Sequence, residues 1–358
     1  MKIAYIYPEK LPSKKARSVS VINTSCELSK LTDTTLFYEK SGKNVLKFYN
    51  LECERLNLKP ISKKFIIRSN KIFNFNLKKY LKNFDYIYVR HLKTAEYLIK
   101  NGLDIIFEYH EIFSTTNEKI EELESFVVKN SKGLVYTNYT LKKEVEKTFD
   151  IKKPSTIAYS GCGFQFDFIK KDFSKINEIY YIGSFQKWKG VEFLVENMRY
   201  FPNITLKIVG DGDKGNILDI IKRFNLKNIE FLGFKTHNEI KNILKEAKVT
   251  VIPNIPTIYN KYSTPIKLFE YLMSSNIVLS ANMPTVKEII KDNQNGFLFE
   301  SGNNEDFVNK LKYILSLDSN KLEEMSKNAY NTGKEFTWTN RAKRIVGFFN
   351  ELEKRTDK

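Results

Sequence analysis

No run of 18 apolar residues occurs in this chain of 358 residues, which removes the ordinary transmembrane helix from consideration. The sequence Lys2-Ile3-Ala4-Tyr5-Ile6-Tyr7 enters a strand pattern at once and leaves no room for the apolar core of a signal peptide. The expected location is the cytoplasm, either free or at the inner face of the membrane. Cysteine is scarce: Cys26, Cys53 and Cys162 stand without metal-ligand spacing, and three reduced thiols are expected. Low-complexity tracts are absent. Acidic residues are missing between Arg55 and Phe84, a stretch that carries nine basic ones.

What is present is enough for two cores. The composition is 42% hydrophobic with 27 Phe, and the length suits two domains of about 150–180 residues. The net charge of +17 is uneven, with 32 Lys/Arg against 20 Asp/Glu up to Lys175. Such a balance fits anionic lipid, phosphorylated ligands or nucleic acid. Because the excess is diffuse and lies on no recognised reading element, no nucleic-acid partner is expected. Residues 63–82 interleave Lys63, Lys64, Arg68, Lys71, Lys78, Lys79 and Lys82 with Phe65, Ile66, Ile67, Ile72, Phe73, Phe75, Tyr80 and Leu81, and this segment is a candidate contact with an anionic membrane.

Apolar β-rich runs alternate with amphipathic stretches in both halves. The expected strands are 3–7, 35–38, 86–90, 104–110, 134–137 and 156–160, then 179–184, 205–210, 229–233, 249–254, 277–281 and 296–299. Helical spacing fills 120–129, 141–148, 191–200, 217–224, 239–247, 265–273, 285–291 and 306–315. Two successive strand–helix alternations predict two doubly wound α/β domains. We place them at 1–165, joined by a terminal amphipathic helix from Trp338 to 358, and at 176–337, with a linker from Gly161 to about Asn177.

Candidate site residues stand where strands end. Ser263-Thr264-Pro265-Ile266-Lys267 opens a helix with Pro265 near its first position, and free N–H groups there suit a phosphate or diphosphate. Glu270, about one and a half turns on, can accept hydrogen bonds from sugar hydroxyls. Gly183, followed by Ser184, permits close backbone approach after a strand, and Lys189 can set a cation on a diphosphate. Val209-Gly210-Asp211-Gly212 is a weak turn signal. His110 ends a strand and is followed by Glu111; Glu108 and Glu111, three apart on an extended strand, would face opposite sides and so make a poor inverting pair. His91 is expected to be structural.

The stretch from Ser263 to Leu272, with Phe269-Glu270-Tyr271 following the Ser/Thr-Pro-x-Lys loop, resembles the donor-binding motif of glycosyltransferase family 4, the retaining group 1 transferases. The strand–Gly183–loop–Lys189-Gly190 element and Phe231-Leu232-Gly233-Phe234 are similar to that family in order and position. The resemblance implies a GT-B fold, two Rossmann-like domains facing a central cleft. It also implies transfer of a hexose-type sugar from a nucleoside diphosphate sugar, UDP-sugar foremost, to a saccharide or lipid-linked acceptor in surface glycan biosynthesis. No metal and no cofactor are implied, and no Asp-x-Asp motif is assigned to a strand end. By the same resemblance Phe234 lies near the nucleobase, against the plain alternative of a core residue, and His110 lies near the donor sugar. Lys14, Arg17 and Ser18, in the loop 8–20, belong to the acceptor side, where a solvated loop is the alternative. The Arg that the family often has after the first glycine is Ser184 here, so that charge is either absent or replaced by Lys267 or Lys261, and Tyr262 stands where the first of two glutamates is usual. A sugar-nucleotide 2-epimerase and a basic nucleic-acid-binding protein remain as alternatives.

Overall fold

The computed structural model describes residues 1–63, 69–115 and 117–356. The chain divides into two compact units, Met1–Gly161 with Trp338–Lys358, and Cys162–Thr337. The first unit contains β1 (Lys2–Lys10), β2 (Asp33–Glu39), β3 (Asn57–Ile61), β4 (Tyr86–Val89), β5 (Ile106–Tyr109), β6 (Gly133–Tyr136) and β7 (Ser155–Ile157). They lie in the order β3-β2-β1-β4-β5-β6-β7, parallel at every pairing. The second contains β8 (Glu178–Ile182), β9 (Thr205–Val209), β10 (Ile229–Gly233), β11 (Val249–Ile252), β12 (Ile277–Ala281) and β13 (Phe297–Phe299). Their order is β10-β9-β8-β11-β12-β13, again parallel. In each sheet the winding reverses beside the first strand, between β1 and β4 and between β8 and β11. Loops diverge at the carboxyl ends of such a pair and leave a crevice for ligands.

The strands are apolar along their length because helices cover both faces of a parallel sheet. β11 and β12 are buried at every residue. The edge strand β3 escapes the sequence pattern because Asn57, Lys59 and Pro60 break it, and Pro is tolerated at a sheet edge. The helix Ala16–Leu31 escapes it as well. Its buried side mixes Val21, Ile22, Cys26 and Leu28 with Ser18, Ser20, Thr24, Ser25 and Ser29, so small polar residues break the apolar stripe. Ser25 and Ser29 satisfy their hydroxyls on the helix's own carbonyls, Val21 and Cys26. Small residues allow close approach, and the partner is the terminal helix Trp338–Thr356.

Several expectations are corrected. The loop expected over 8–20 is largely regular: β1 runs to Lys10 and the helix begins at Ala16. The expected linker 161–177 is packed onto the second unit, with Phe164 and Phe173 buried. Lys171 drives its ammonium into that unit, donating to the carbonyls of Leu244, at 2.9 Å, and Ala247 and to Asn276 Oδ1. Of the basic segment, Lys64, Phe65, Ile66, Ile67 and Arg68 lie outside the described residues. Lys63 is buried and ion-paired with Glu39 at 3.4 Å, while Phe73 and Leu81 are core residues. What this segment exposes is Phe75 with Lys71, Lys78, Lys79 and Lys82. No helix among the described residues is long and apolar enough to cross a membrane.

The cysteine expectation also fails. Cys26, on the first helix, and Cys53 form a disulfide, with Cα atoms 5.4 Å apart, and only Cys162 is free. A separation of 27 residues carries no pairing signal; the fold brings the two thiols together inside one core. Alkylation of the denatured protein without reductant should therefore label Cys162 alone, and all three cysteines after reduction. Intact-mass measurement checks this, and three labels without reductant would remove the disulfide.

Candidate active site

In the second unit, the carboxyl ends of β8 and β11 are drawn together by backbone contact. Gly190, with φ 73°, lies so close to Pro253 that an added Cβ would fall 1.8 Å from its carbonyl oxygen. Only glycine combines that conformation with that approach. The contact anchors the turn Lys187–Lys189 and thereby Lys189, whose ammonium sits 3.8 Å from the Trp188 ring centroid. Burial pushes the Lys189 pKa down to about 8.

Beside it, the helix Ile266–Met273 brings the side chain of Lys267 to Gly183. Pro265 is the N-cap rather than the first helical residue, and no side chain caps this end. The helix is fixed in place by Tyr271, whose hydroxyl accepts a hydrogen bond from the Ile182 N–H at 3.1 Å, and by Phe269 stacked on Phe336 at 5.1 Å. Lys267 is in its first turn. Its Nζ is buried without a hydrogen-bond partner, resting 4.2 Å from the Tyr181 ring centroid. A Cβ at Gly183 would come within 2.5 Å of that nitrogen, so Gly183 is what admits the lysine. Thr264 Oγ1 is likewise buried and unpartnered. Burial first, then Lys189, holds the Lys267 ammonium well below its ordinary 10.5, with Glu270 opposing. Burial raises the Glu270 carboxyl to about 7, with Lys267 opposing. The result is an unsatisfied donor cluster with positive charge at a helix N-terminus, an arrangement that suits a dianionic ligand.

The other expected residues divide. Ser263 and Ser184 are exposed, and the Ser184 carbonyl accepts from Tyr181 Oη at 2.7 Å. Ile266 opens the helix. Phe234, just after β10, is 58% exposed, so the core alternative fails. Tyr262 is buried. The motif Asp211-Gly212-Asp213 does follow β9, contrary to the expectation of no Asp-x-Asp at a strand end. Asp211 and Asp213 turn their carboxylates onto the N–H groups of Gly212 and Gly215, at 2.9 and 3.0 Å.

In the first unit, His110 follows β5 and is part-buried, its Nε2 2.5 Å from Glu108 Oε1. Glu108 is fully buried and also meets Tyr5 Oη at 2.5 Å and Arg341 Nη2 at 2.6 Å. Burial is the largest influence on Glu108 and opposes its charge, yet His110, Arg341 and Arg90 together hold its carboxyl well below the usual range. Arg341 was missed from the sequence. Its signal was its spacing: it falls among Trp338, Ala342, Ile345, Phe349 and Leu352, the buried stripe of the terminal helix. His91 caps the helix Leu92–Lys100 and is structural. Arg17 pairs with Glu9 at 2.9 Å, and Ser18 is buried with its hydroxyl 3.0 Å from Tyr7 Oη, which takes Ser18 out of any open acceptor surface. Lys14 lies in the short connection before the first helix.

Residues 164–332 match the family model of the glycosyl transferases group 1. The second unit therefore belongs to the group 1 glycosyltransferase family. Two uncharacterized glycosyltransferases of Methanocaldococcus jannaschii are each 25% identical to the chain, one over 59% of this chain and 56% of its own length, the other over 66% and 65%. The chain thus spans well under two thirds of the first relative's length. Among solved structures, HepE of Anabaena in complex with UDP superposes with a TM-score of 0.81 at 14% identity, covering 98% of this chain and all of that one. Sucrose-phosphate synthase of Thermosynechococcus elongatus gives 0.78 at 14% identity, over 99% of both chains. These likenesses establish the fold, GT-B, with its two Rossmann-like units.

The Glu270 shift has a signed consequence. The folded protein keeps this proton up to about pH 7, whereas an unshifted carboxyl releases it near 4.5. Stability attributable to Glu270 is therefore full below pH 4.5 and falls as pH rises toward 7. Glu270→Gln should flatten this part of the melting-temperature profile and melt above the wild type at pH 8. Calorimetry from pH 4 to 8 checks it, and equal slopes in both proteins would remove the buried-carboxylate cost.

Proposed function

We propose that the protein transfers a hexosyl group from a nucleoside diphosphate sugar, UDP-sugar foremost, to a hydroxyl of a saccharide or lipid-linked saccharide, with retention of anomeric configuration, in surface glycan biosynthesis. The observation that carries this reading is the unpartnered Lys267 ammonium beside Thr264 Oγ1 and an uncapped helix N-terminus. Buried polar groups are ordinarily satisfied, and a diphosphate supplies the acceptors these three lack. The matched family and the UDP complex of a fold neighbour support the same choice. Retention and the glycan acceptor rest on the family resemblance, and Phe234 is assigned to the nucleobase side by the same analogy.

In this reaction the bond between the anomeric carbon and the diphosphate oxygen breaks, and its electron pair stays on the phosphate. Lys189, Lys267 and the helix N–H groups stabilise the charge that develops there. Glu270 accepts from ribose hydroxyls. The acceptor oxygen joins the anomeric carbon on the face the phosphate leaves, and its proton passes to the departing phosphate oxygen. His110 is assigned to the donor sugar by the family resemblance. No metal is needed in this scheme, because the lysines and the helix end balance the diphosphate.

Each charged contact is worth roughly 1.5–3 kcal/mol. Lys189→Ala and Lys267→Met should therefore each weaken UDP binding about tenfold to a hundredfold in calorimetry, with transfer persisting in excess EDTA. Lys267→Met should also melt above the ligand-free wild type, since it deletes an unsatisfied buried charge. UDP affinity unchanged in both variants would overturn the site.

A peripheral contact with anionic membrane suits a lipid-linked acceptor and uses what the basic segment leaves exposed, Phe75 with Lys71, Lys78, Lys79 and Lys82. Basic residues near an anionic surface contribute about 1 kcal/mol each. Sedimentation with vesicles containing phosphatidylglycerol should be lost in Phe75→Asp with Lys78→Glu and Lys79→Glu. Binding equal to wild type would place the contact elsewhere.

A further inference from the structure

The first unit contains a buried charge cluster that the transfer scheme leaves unused. Glu108 Oε1 receives two groups, Arg341 Nη2 at 2.6 Å and His110 Nε2 at 2.5 Å, and Oε2 receives Tyr5 Oη at 2.5 Å. Each nitrogen of Arg341 has a partner: besides the Glu108 contact, Nε donates to Thr24 Oγ1 at 3.0 Å and Nη1 to the Ala158 carbonyl. Neither Glu108 nor Arg341 is exposed, whereas the His110 side chain is 21% exposed. The cluster is thus anchored on the inside and open only at the imidazole.

Its charge balance decides the state of that imidazole. One carboxylate faces two permanent cations, Arg341 and Arg90, which both act on His110 together with Glu108. A third cation in this burial is disfavoured, and the His110 pKa falls to about 4, with burial as the first cause and Arg90 as the second. An ionised carboxylate can only accept, so a neutral imidazole bonded to it must carry its proton on Nε2. The other nitrogen, Nδ1, then has a free lone pair and is an acceptor.

We propose that Glu108, held by Arg341, fixes His110 as the neutral Nε2–H tautomer, so that His110 offers Nδ1 as a hydrogen-bond acceptor to a hydroxyl of the bound sugar. Glu108 and Arg341 are positioning residues that act through His110. Arg341 makes the terminal helix a part of that positioning, because its side chain reaches across the first unit to the end of β5. The sugar assignment rests on the function proposed above; the tautomer assignment does not.

The chain has three histidines, so the test is tractable. Protein labelled with 15N-histidine is recorded by long-range proton–nitrogen correlation from pH 6 to 8, with His91→Gln and His237→Gln to assign the spectrum. The expected His110 pattern is protonated Nε2 and bare Nδ1 across this range. An Nδ1–H tautomer or an imidazolium at pH 7 overturns the proposal in the wild type itself, whether or not transfer activity is found. Glu108→Gln should mix the tautomers and lower kcat about tenfold to a hundredfold on the donor that stabilises the protein, with less than a threefold change in its KM. Tyr5→Phe, which leaves the Oε1 contacts in place, serves if the Gln variant does not fold, and should keep the tautomer. Glu108→Gln with an unmixed tautomer and wild-type kcat, or Tyr5→Phe with a mixed one, overturns the positioning role.

Discussion

The buried contact between Glu108 and Arg341 joins the two ends of the sequence into one unit. The chain leaves the first unit at Gly161 and returns at Trp338, and the returning helix is tied to the sheet by an arginine with no exposed surface. Removing two charges from water is costly, and a buried pair is retained only when every remaining donor and acceptor is satisfied. Here Thr24 and Ala158 accept from Arg341, and Tyr5 and His110 bond to Glu108. The apolar stripe of the terminal helix would bury against many surfaces. The arginine docks in one place only, where a carboxylate, a hydroxyl and a carbonyl converge. It therefore sets the helix in register, and the register in turn supports the end of β5.

The second unit treats its charges differently. Lys267 and Thr264 are buried without partners, and Lys189 is cushioned on an aromatic face instead of a carboxylate. The cost of such groups is met by the rest of the fold, through the packing of the helix Ile266–Met273 on β8 and on the helix Ser319–Glu335. The latter comes close enough that a side chain at Gly333 would strike the Met273 backbone. One unit closes its electrostatic account internally and the other leaves it open. Open positive charge on a rigid frame is what a dianion needs, since no reorganisation is required when the ligand arrives.

Much of this was legible in the sequence. The β-branched runs located twelve of the thirteen strands among the described residues because strands buried on both faces leave a continuous signal. Edge strand β3, with Pro60, left none. The first helix was hidden because serine and threonine interrupt the apolar residues on its buried face, and those types report turns as readily as close helix packing. The donor motif was readable since phosphate binding at a helix start depends on local backbone geometry, and local geometry leaves local spacing. The disulfide and the Glu108 cluster were not readable, because each joins residues separated by 27 to more than 200 positions and depends on the finished fold. The spacing of Glu108 and Glu111 speaks only against a catalytic pair and is silent on what Glu108 binds. Its actual partners come from β1, from the residue after β5 and from the terminal helix.

The substitution of Ser184 for the family's usual arginine follows from the same physics. An arginine is charged under all ordinary conditions and would remain an uncompensated cation whenever the site is vacant. Lys267 brings its nitrogen to Gly183 from the helix side, and burial holds its pKa well below 10.5. A phosphate at the helix end would reverse that balance, since an anion within a few ångströms favours the charged form. In the proposed site this substitution places the second cation on the helix instead of the loop. It also moves the requirement for glycine from a loop that must bend to one that must leave room. Gly183 leaves that room, because a side chain there would meet the Tyr181 hydroxyl and the lysine nitrogen.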